Sequence, residues 1–320
     1  MSLAVLRPGT LTTLQDRGRH GWRALGVGAA GAMDDVSLRL ANALVGNDDD
    51  AVALELTWSG PRLRFEKDAL VAICGAACEA RVDGTAVAGW RPLRIDAGSE
   101  LDCGALRHGA RACLAIAGGF AVERVLGSGA TDLNAGIGAL DGRALRAGDR
   151  LAWNPPRIPL RARRWSLDPH PWFDGHADAP IRLIAGSHAG LLDAASSEAL
   201  HAARFSVHAD SNRVGIRLEG PTLTLASAFE AVSEPVARGT VQLPPAGRPI
   251  LLMAEHPTTG GYPRIGQVAA IDLPRVAQRR PGDPVRFQAI GLDEAQSRYL
   301  ARERALERLI LSMTQRLADD

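Results

Sequence analysis

The sequence predicts a mainly β protein with few helices. Short apolar runs recur along the chain at intervals of about ten residues, a spacing typical of β-barrels and β-sandwiches. Clear examples are ALVAIC (69–74), LAIAG (114–118), IRLIAG (181–186) and ILLMAE (250–255). Between such runs lie 34 glycines and 19 prolines, which favour turns. A chain of 320 residues is long enough for one large domain or two medium ones.

Two short patterns occur twice in the same order, which favours a duplicated architecture. One pairs WSGPRLRF (58–65) with LEGPTLTL (218–225), and the other pairs LRAGDRLAW (145–153) with RRPGDPVRF (279–287). Gly-Pro can open a strand, and Gly-Asp fits a turn before one. The simplest explanation is two similar β-domains in tandem.

Three segments have the pattern of helices. MDDVSLRLANALVGN (33–47) can be capped by Asp34 or Asp35 and carries one apolar stripe, and SSEALHAA (196–203) is the second. The third begins at Asp293, and its apolar side chains recur on one face at Tyr299, Leu306, Ile310, Met313 and Leu317. We expect this C-terminal helix to dock on the body of the protein or on another subunit.

These patterns predict a first β-domain over residues 1–165, a second over 178–290, and a C-terminal helix over 291–320. The net charge and the lysine content exclude some classes of function. The formal net charge is +1, which does not suggest a nucleic-acid partner. Lys67 is the single lysine, so the sequence has neither a Walker A phosphate loop nor a context for covalent biotin. No signal peptide or membrane span is evident, and we expect a cytoplasmic protein.

Other catalytic motifs are missing from the sequence. No G-x-S-x-G elbow is present, and the eight histidines lack metal-binding spacing, so we predict no metal site. The cysteines are expected to be buried thiols that act as small hydrophobic residues. The glycine-rich stretch 127–142 does not match G-x-G-x-x-G. We expect it to be a surface loop, or a lid that closes over a ligand.

Two polar segments contain more functional groups than turns need. TTLQDRGRHG (12–21) and EHPTTGGYPRIG (255–266) each combine a carboxylate, hydroxyls, a histidine and glycines. Glycine lets a backbone N–H approach a ligand closely, and threonine and glutamine can orient amides and carboxylates. A third segment, ADSNRVG (209–215), places Asn212 and Arg213 just before a strand. We expect the first two segments to face the same cleft.

Longer stretches around these segments resemble a known family. TTLQDRGRHGW, GVGAAGAMDDVSLRLANALVGN, SNRVGIRLEGP and AEHPTTGGYPRIGQVAAIDLPRVAQRRPGDPVRF occur in this order. They are similar to the allophanate hydrolase subunit 2 family, also called the biotin-dependent carboxyltransferase-like family. Its members include the C-type subunit of 5-oxoprolinase and the antagonist of a sporulation-kinase inhibitor. The resemblance covers about residues 3–290 and implies two cyclophilin-like β-barrel domains in tandem, in agreement with the duplication.

The resemblance also implies a set of site residues. Catalytic candidates are Asp16, Glu255 and His256, and substrate-binding candidates are Gln15, Arg19, Asn212, Arg213, Thr258, Thr259, Gly260, Gly261 and Tyr262. Arg213 or Arg19 could hold a carboxylate, and Asp16 or Glu255 could move protons. The backbone N–H groups of the two glycines could stabilise an oxyanion. The family often has aspartate where Glu255 stands, so the reach of this carboxylate differs by one methylene.

Three functional hypotheses follow from the resemblance. The first is the C-type subunit of an ATP-dependent 5-oxoprolinase that cleaves 5-oxo-L-proline to L-glutamate. Its partners would be a homologous subunit-1 chain, the B-type subunit of 5-oxoprolinase, and a third, A-type subunit, with ATP bound by the complex. The second is the carboxyltransferase component of a urea carboxylase, which needs a separate biotin carrier. The third is a non-enzymatic regulator that binds its subunit-1 partner.

Overall fold

The computed structural model describes residues 1–172, 178–229 and 232–319. The predicted fold class is confirmed: within these ranges the chain is mainly β, with few helices and a long helix at the C-terminal end. Clustering of contacts divides the chain into two compact units. The first unit contains residues 1–20, 30–172 and 306–319, and the second contains 21–29, 178–229 and 232–305.

The first unit is built on two antiparallel sheets. Its strands are β1 (Ser2–Arg7), β2 (Leu11–Gln15), β3 (Ala53–Thr57), β4 (Arg62–Phe65), β5 (Ala69–Cys78), β6 (Arg81–Val82), β7 (Thr85–Ala86), β8 (Leu93–Ile95), β9 (Glu100–Asp102), β10 (Leu106–Ile116) and β11 (Arg150–Ala152). One sheet has the order β11-β1-β4-β9-β6-β7 and the other β2-β3-β10-β5-β8. Alternate residues of β1 and β4 are buried, and Leu3, Val5, Leu63 and Phe65 join one apolar core.

Helix α1 (Asp35–Leu44) packs on the β2-β3-β10-β5-β8 sheet. The predicted cap is confirmed at Asp34, because its carboxylate accepts hydrogen bonds from the backbone N–H and the hydroxyl of Ser37. The predicted apolar stripe of Val36, Leu40, Ala43 and Leu44 is confirmed, because all four join one apolar cluster. Burial extends beyond the stripe, to nine of the ten helical residues. A short helical turn, α2 (Ala139–Gly142), contains two residues with left-handed backbone angles.

The second unit is built on one large sheet. Its strands are β12 (Ile181–Ala185), β13 (Phe205–Val207), β14 (Gly215–Glu219), β15 (Glu234–Pro235), β16 (Thr240–Gln242), β17 (Ile250–Leu252), β18 (Thr259–Gly260), β19 (Arg264–Val268), β20 (Pro284–Val285) and β21 (Phe287–Ala289). The large sheet has the order β20-β13-β14-β17-β16-β19-β12-β21, and β15 pairs separately with β18. The remaining helices are α3 (Ala194–Ala202), α4 (Leu273–Ala277) and α5 (Leu292–Asp319).

The two copies of each repeated sequence pattern form equivalent strands only in part. In each unit, a strand after the Gly-Asp turn pairs with the unit's first long strand: β11 with β1, antiparallel, and β21 with β12, parallel. The first Gly-Pro precedes β4, as predicted. The second follows β14, and residues 221–224 form no strand. The domain boundaries predicted from the sequence stay a prediction, although residues 21–29 and 306–319 are grouped differently by the contacts.

The predicted face of α5 is confirmed. Leu306, Met313 and Leu317 are buried, and the first two join the apolar cluster around α1 in the first unit. The four cysteines are thiols: Cys74, Cys103 and Cys113 are buried, as predicted, and Cys78 is half-buried. Desolvation raises the pKa of Cys78 to about 12. Among the helices in the described part of the chain, none has both the length and the apolar content needed to cross a membrane.

Candidate functional site

Asp16 lies at the end of β2 and anchors two loops of the first unit. Its carboxylate is 2% exposed and accepts hydrogen bonds from Gly18 N–H (2.8 Å), Ser128 Oγ (2.6 Å) and Gly129 N–H (2.7 Å). Its own carbonyl accepts a bond from Ala32 N–H (3.0 Å). Three donors therefore satisfy the hydrogen-bonding capacity of this buried carboxylate. The Asp16 carboxylate thus links the polar segment 12–21 to the loop at 128–129, and we call this link the brace.

Gln15 and Arg19 are completely buried beside this brace. Gln15 Nε2 donates to the carbonyl of Thr131 (2.9 Å) and to Thr13 Oγ1 (3.0 Å). Arg19 donates from Nε to the Val125 carbonyl and from Nη2 to the Ala130 carbonyl, each at 2.9 Å. Within the described residues, Gln15 Oε1 and Arg19 Nη1 have no hydrogen-bond partner. Both side chains therefore hold the main chain of one loop.

That loop is the glycine-rich stretch, and the prediction of a surface loop is wrong for its first part. Residues 128–132 are buried. The hydrogen bonds from the 12–19 segment satisfy its carbonyls, which is what permits a loop of this composition to lie inside. Gly138 is required by geometry, because its φ is +100° and an added Cβ would lie 2.0 Å from the Ala130 carbonyl oxygen.

Glu255 and Arg213 form a buried ion pair in the second unit. Arg213 Nε donates to Glu255 Oε1 at 2.5 Å, and the side chains of Arg213 and Glu255 are 4% and 3% exposed, respectively. The backbone joins them too, because Glu255 N–H donates to the Arg213 carbonyl (2.9 Å). Charge pairing offsets the desolvation of both groups. The Arg213 guanidinium therefore already binds a carboxylate of its own chain, and it would have to release Glu255 before it could hold the carboxylate of a ligand.

His256 is buried next to this pair, and both of its ring nitrogens are engaged. Nδ1 lies 2.6 Å from the Pro257 carbonyl, and Nε2 lies 3.2 Å from Arg23 Nη1. A carbonyl only accepts and a guanidinium only donates, so these contacts assign the neutral ring with its proton on Nδ1. Burial lowers the pKa of His256, and the charges of Arg23 and Arg238 act in the same direction.

Asn212 makes a local turn. Its Oδ1 accepts hydrogen bonds from Val214 N–H (2.9 Å) and Gly215 N–H (3.2 Å). This turn leads the chain from the buried Arg213 into β14. The hydrogen bonds account for the asparagine by backbone geometry, and its predicted role in substrate binding stays a prediction.

The segment from Thr258 to Tyr262 is the accessible part of the second polar segment. Thr259 and Tyr262 are exposed, while Thr258, Gly260 and Gly261 are half-buried. Thr259 and Gly260 form β18, which pairs with Glu234 and Pro235 of β15. We call residues 258–262 the threonine–glycine strip. Hydroxyls and glycine backbone are presented to solvent here, and such groups can bind an amide or an oxyanion.

The support beneath this strip includes Arg264, Gln242 and Arg23, which sequence reasoning did not select. Arg264 donates to the Glu234 carboxylate and to the Pro235 carbonyl, which fixes β15. The amide of Gln242 lies against Gly260, where an added Cβ would be 2.4 Å from Nε2. Arg23 donates to the Val236 carbonyl and to His256. Arg23 lies 233 positions from His256 in the sequence, and no local pattern could connect them.

The structure thus brings Gln15, Asp16 and Arg19 together in the first unit. It brings Arg213 and Glu255 together in the second unit, with His256 next in the chain. The threonine–glycine strip follows the second group directly. That the two groups face one cleft stays a prediction.

Comparison with known proteins gives the family. Residues 25–289 match the model of the carboxyltransferase domain, subdomain A and B. The chain belongs to this family. It is 40% identical over 309 residues to the C-type subunit of 5-oxoprolinase from Escherichia coli, covering 96% of this chain and 97% of that protein. The corresponding subunit from Haemophilus influenzae is 35% identical, with 96% of each chain covered.

A solved structure shares both the family and the fold. The urea amidolyase of Kluyveromyces lactis matches 96% of this chain with a TM-score of 0.88 and 28% identity. The match covers 20% of that longer chain. The carboxyltransferase-domain family therefore includes relatives in which this architecture is a whole chain and others in which it is one part of a large enzyme.

Proposed function

We propose that the protein is the C-type subunit of an ATP-dependent 5-oxoprolinase, which cleaves 5-oxo-L-proline to L-glutamate. The observation that carries this proposal is the match to such a subunit at 40% identity over 97% of its length. Identity at that level over a whole chain supports a shared function more strongly than a shared fold does. ATP binds to the complex in this proposal, and we assign no nucleotide site to this chain.

The chemistry asks for two things from the protein. The lactam carbonyl must be activated, by phosphoryl transfer from ATP, and water must then attack that carbon. The first water opens the ring and leaves an acyl phosphate of glutamate, and a second water cleaves this acyl phosphate, giving glutamate and phosphate beside the ADP already formed. We assign substrate contact to the threonine–glycine strip, whose hydroxyls and backbone groups are accessible. Glu255 would handle protons only after exchanging its present partner, Arg213, while His256 keeps its contact with Arg23.

The remaining candidates of the first unit have a different place in this proposal. Asp16, Gln15 and Arg19 bind the main chain of the 125–131 loop. We propose that they set the shape of the first unit and do not touch the substrate.

Partners belong to the proposal as well. We propose a homologous subunit-1 chain, the B-type subunit of 5-oxoprolinase, and a third, A-type subunit, all three acting together in the cytoplasm. The test is to purify this chain with both partners, and to measure glutamate and phosphate released from 5-oxoproline and ATP. Glutamate formed only when all chains are present supports the proposal. Tight binding of the subunit-1 chain with no turnover in any mixture would replace it with the regulatory hypothesis.

A second candidate is the carboxyltransferase part of a urea carboxylase. The match to the Kluyveromyces lactis urea amidolyase, with a TM-score of 0.88, favours it. The reaction moves a carboxyl group from N-carboxybiotin to urea, and a separate carrier would have to deliver the biotin. Incubating the complex with carboxybiotin and urea, and measuring the carboxylated urea, tests it. Transfer to urea without any 5-oxoprolinase activity would select this candidate.

A further inference from the structure

Arg23 belongs to the second unit, and the hydrogen-bond partners of its positively charged side chain are neutral groups. It belongs to the arm formed by residues 21–29, which clusters with the second unit. Its Nη1 contacts His256 Nε2 at 3.2 Å, and its Nη2 donates to the Val236 carbonyl. An imidazole in its neutral form and a carbonyl carry no negative charge. Among the described residues no carboxylate pairs with Arg23.

The carboxylates that neighbour its partners along the chain are already paired. Glu255, which precedes His256, pairs with Arg213. Glu234, which opens the strand before Val236, pairs with Arg264. The positive charge of Arg23 is therefore left uncompensated beside the threonine–glycine strip. A guanidinium in this state favours a negatively charged ligand and can bind it through two parallel N–H groups.

The position of Arg23 relates it directly to the strip. Val236, whose carbonyl accepts from Arg23, donates its own N–H to the Thr258 carbonyl at 3.1 Å. Val236 also lies 3.4 Å from the place of a Cβ on Gly260. One residue therefore separates the guanidinium from the strip, and Arg23 is half-buried, which leaves part of it accessible.

We propose that Arg23 binds an oxyanion of the ligand, and that His256 is the positioning residue that orients it. The oxyanion is the carboxylate of the substrate or a phosphoryl oxygen of an activated intermediate. This deepens the proposed function and rests on it for the identity of the substrate. His256 suits the positioning task because a neutral ring accepts from the guanidinium without cancelling its charge. The pKa of His256 is lowered by burial, then by Arg23 and Arg238, which keeps the ring neutral near pH 7.

The decisive variant is Arg23→Gln in the complete complex. We expect the KM for 5-oxoproline to rise about 10- to 100-fold, the loss typical of a hydrogen bond between charged groups, with a smaller change in kcat. Binding of pyrrolidin-2-one, which has the ring without the carboxylate, should not change. A fall in kcat instead, with the KM for 5-oxoproline unchanged, assigns Arg23 to the phosphoryl oxygen of the activated intermediate. Wild-type values for both substrates would overturn the proposal.

A second measurement does not depend on turnover. Titration of the isolated chain with acetate and with inorganic phosphate, followed by NMR of the arginine side chains, should show saturable shifts for Arg23 that Arg23→Gln abolishes. Arg298→Gln is the matched control, since Arg298 is exposed and pairs with Glu294. If 5-oxoproline is not a substrate, this anion binding still stands. If neither anion binds, the proposal fails while the 5-oxoprolinase assignment survives.

The positioning role of His256 has its own readout. Imidazole NMR should show the proton on Nδ1 in the wild type, and the pKa of His256 should rise in Arg23→Gln because a neighbouring positive charge is removed. His256→Phe should raise the KM for 5-oxoproline in the same direction as Arg23→Gln, with a similar melting temperature. An unchanged pKa in Arg23→Gln would rule out His256 as the residue that orients Arg23.

Discussion

The two polar segments have similar compositions and different surroundings. In the first unit, Asp16 and Arg19 turn inward and bind the main chain of a buried loop. In the second unit, Glu255 and His256 are buried beside a strip whose Thr259 and Tyr262 reach solvent. The same residue types therefore serve as a brace in one unit and as the base of an accessible surface in the other.

Polar density alone therefore does not mark a site. What distinguishes the segments is the partner of each charge. Asp16 is satisfied by backbone N–H groups and a hydroxyl, whereas Glu255 is satisfied by the side chain of Arg213. Backbone partners are fixed by the fold, while a side-chain partner can be exchanged when a ligand arrives. Substitutions in the two units should therefore differ in how strongly they affect stability.

The largest effect is expected for Gly138→Ala in the first unit, and Gly260→Ala in the second unit is the comparison. Gly138→Ala would place a Cβ 2.0 Å from the Ala130 carbonyl oxygen at a φ of +100°. We expect it to lower the free energy of unfolding by about 3 kcal/mol or more. Gly260→Ala meets chiefly the end of the Gln242 side chain, and a loss of about 1 kcal/mol is expected. Urea unfolding measures both, and equal losses would contradict the contrast between the two units.

The next largest loss of stability is expected when the hydrogen bonds to the Asp16 carboxylate are removed. Asp16→Ala leaves the buried donors of Ser128 and Gly129 without their acceptor. Each unsatisfied buried group costs about 1–3 kcal/mol, so the free energy of unfolding should fall by at least about 2 kcal/mol. Ser128→Ala is the milder control. A stable Asp16→Ala protein whose complex has lost turnover would instead place Asp16 in the chemistry.

Acidification should weaken the second unit through His256. Its pKa lies below the ordinary value of 6.5, because burial disfavours the charged ring. Between the lowered pKa and 6.5 the unfolded chain binds more protons than the folded one, so stability falls as the pH drops through this window. Thermal melts from about pH 7.5 to about pH 5 should show the decline, and His256→Asn should flatten it. An identical pH profile in the variant would argue that other groups cause the decline.

The smallest effect on stability is expected for the strip. Thr259 is exposed, so Thr259→Ala should change the free energy of unfolding by less than about 0.5 kcal/mol. If the strip contacts the substrate, turnover of 5-oxoproline by the complex should nevertheless fall. Thr314→Ala on the exposed face of α5 is the control for a neutral surface substitution. Unchanged turnover in Thr259→Ala would remove this side chain from the site.

Local patterns were enough for much of the fold. The spacing of Asp34 and the residues after it predicts a helix cap, and the recurrence of Leu306, Met313 and Leu317 predicts the buried face of α5. Burial of β2 was harder, because four of its five residues are buried although three are polar. Hydrogen bonds from distant loops make that burial possible, and they leave no periodic signal in the sequence.

Prediction of the site from the sequence is limited in the same way, by contacts between residues that are distant along the chain. The threonine–glycine strip and the Arg213–Glu255 pair lie in segments that sequence reasoning selected. The burial of the 128–132 loop was missed, because a glycine-rich composition is shared by surface loops and by loops whose carbonyls are bound internally. Arg23 was missed because its partners are a carbonyl and a histidine far along the chain, and neither requires an arginine by type.

The arm at residues 21–29 also bears on how the chain is made. Arg23 leaves the ribosome 233 residues before its partner His256 does. Until the second half has been synthesised, the arm has no surface on which to settle, and loop closure over that distance must then be completed. A fragment of residues 178–319 expressed alone would lack this contact. Adding a peptide of residues 18–31 should restore the contact. Fragment complementation therefore measures how much the arm stabilises the second unit.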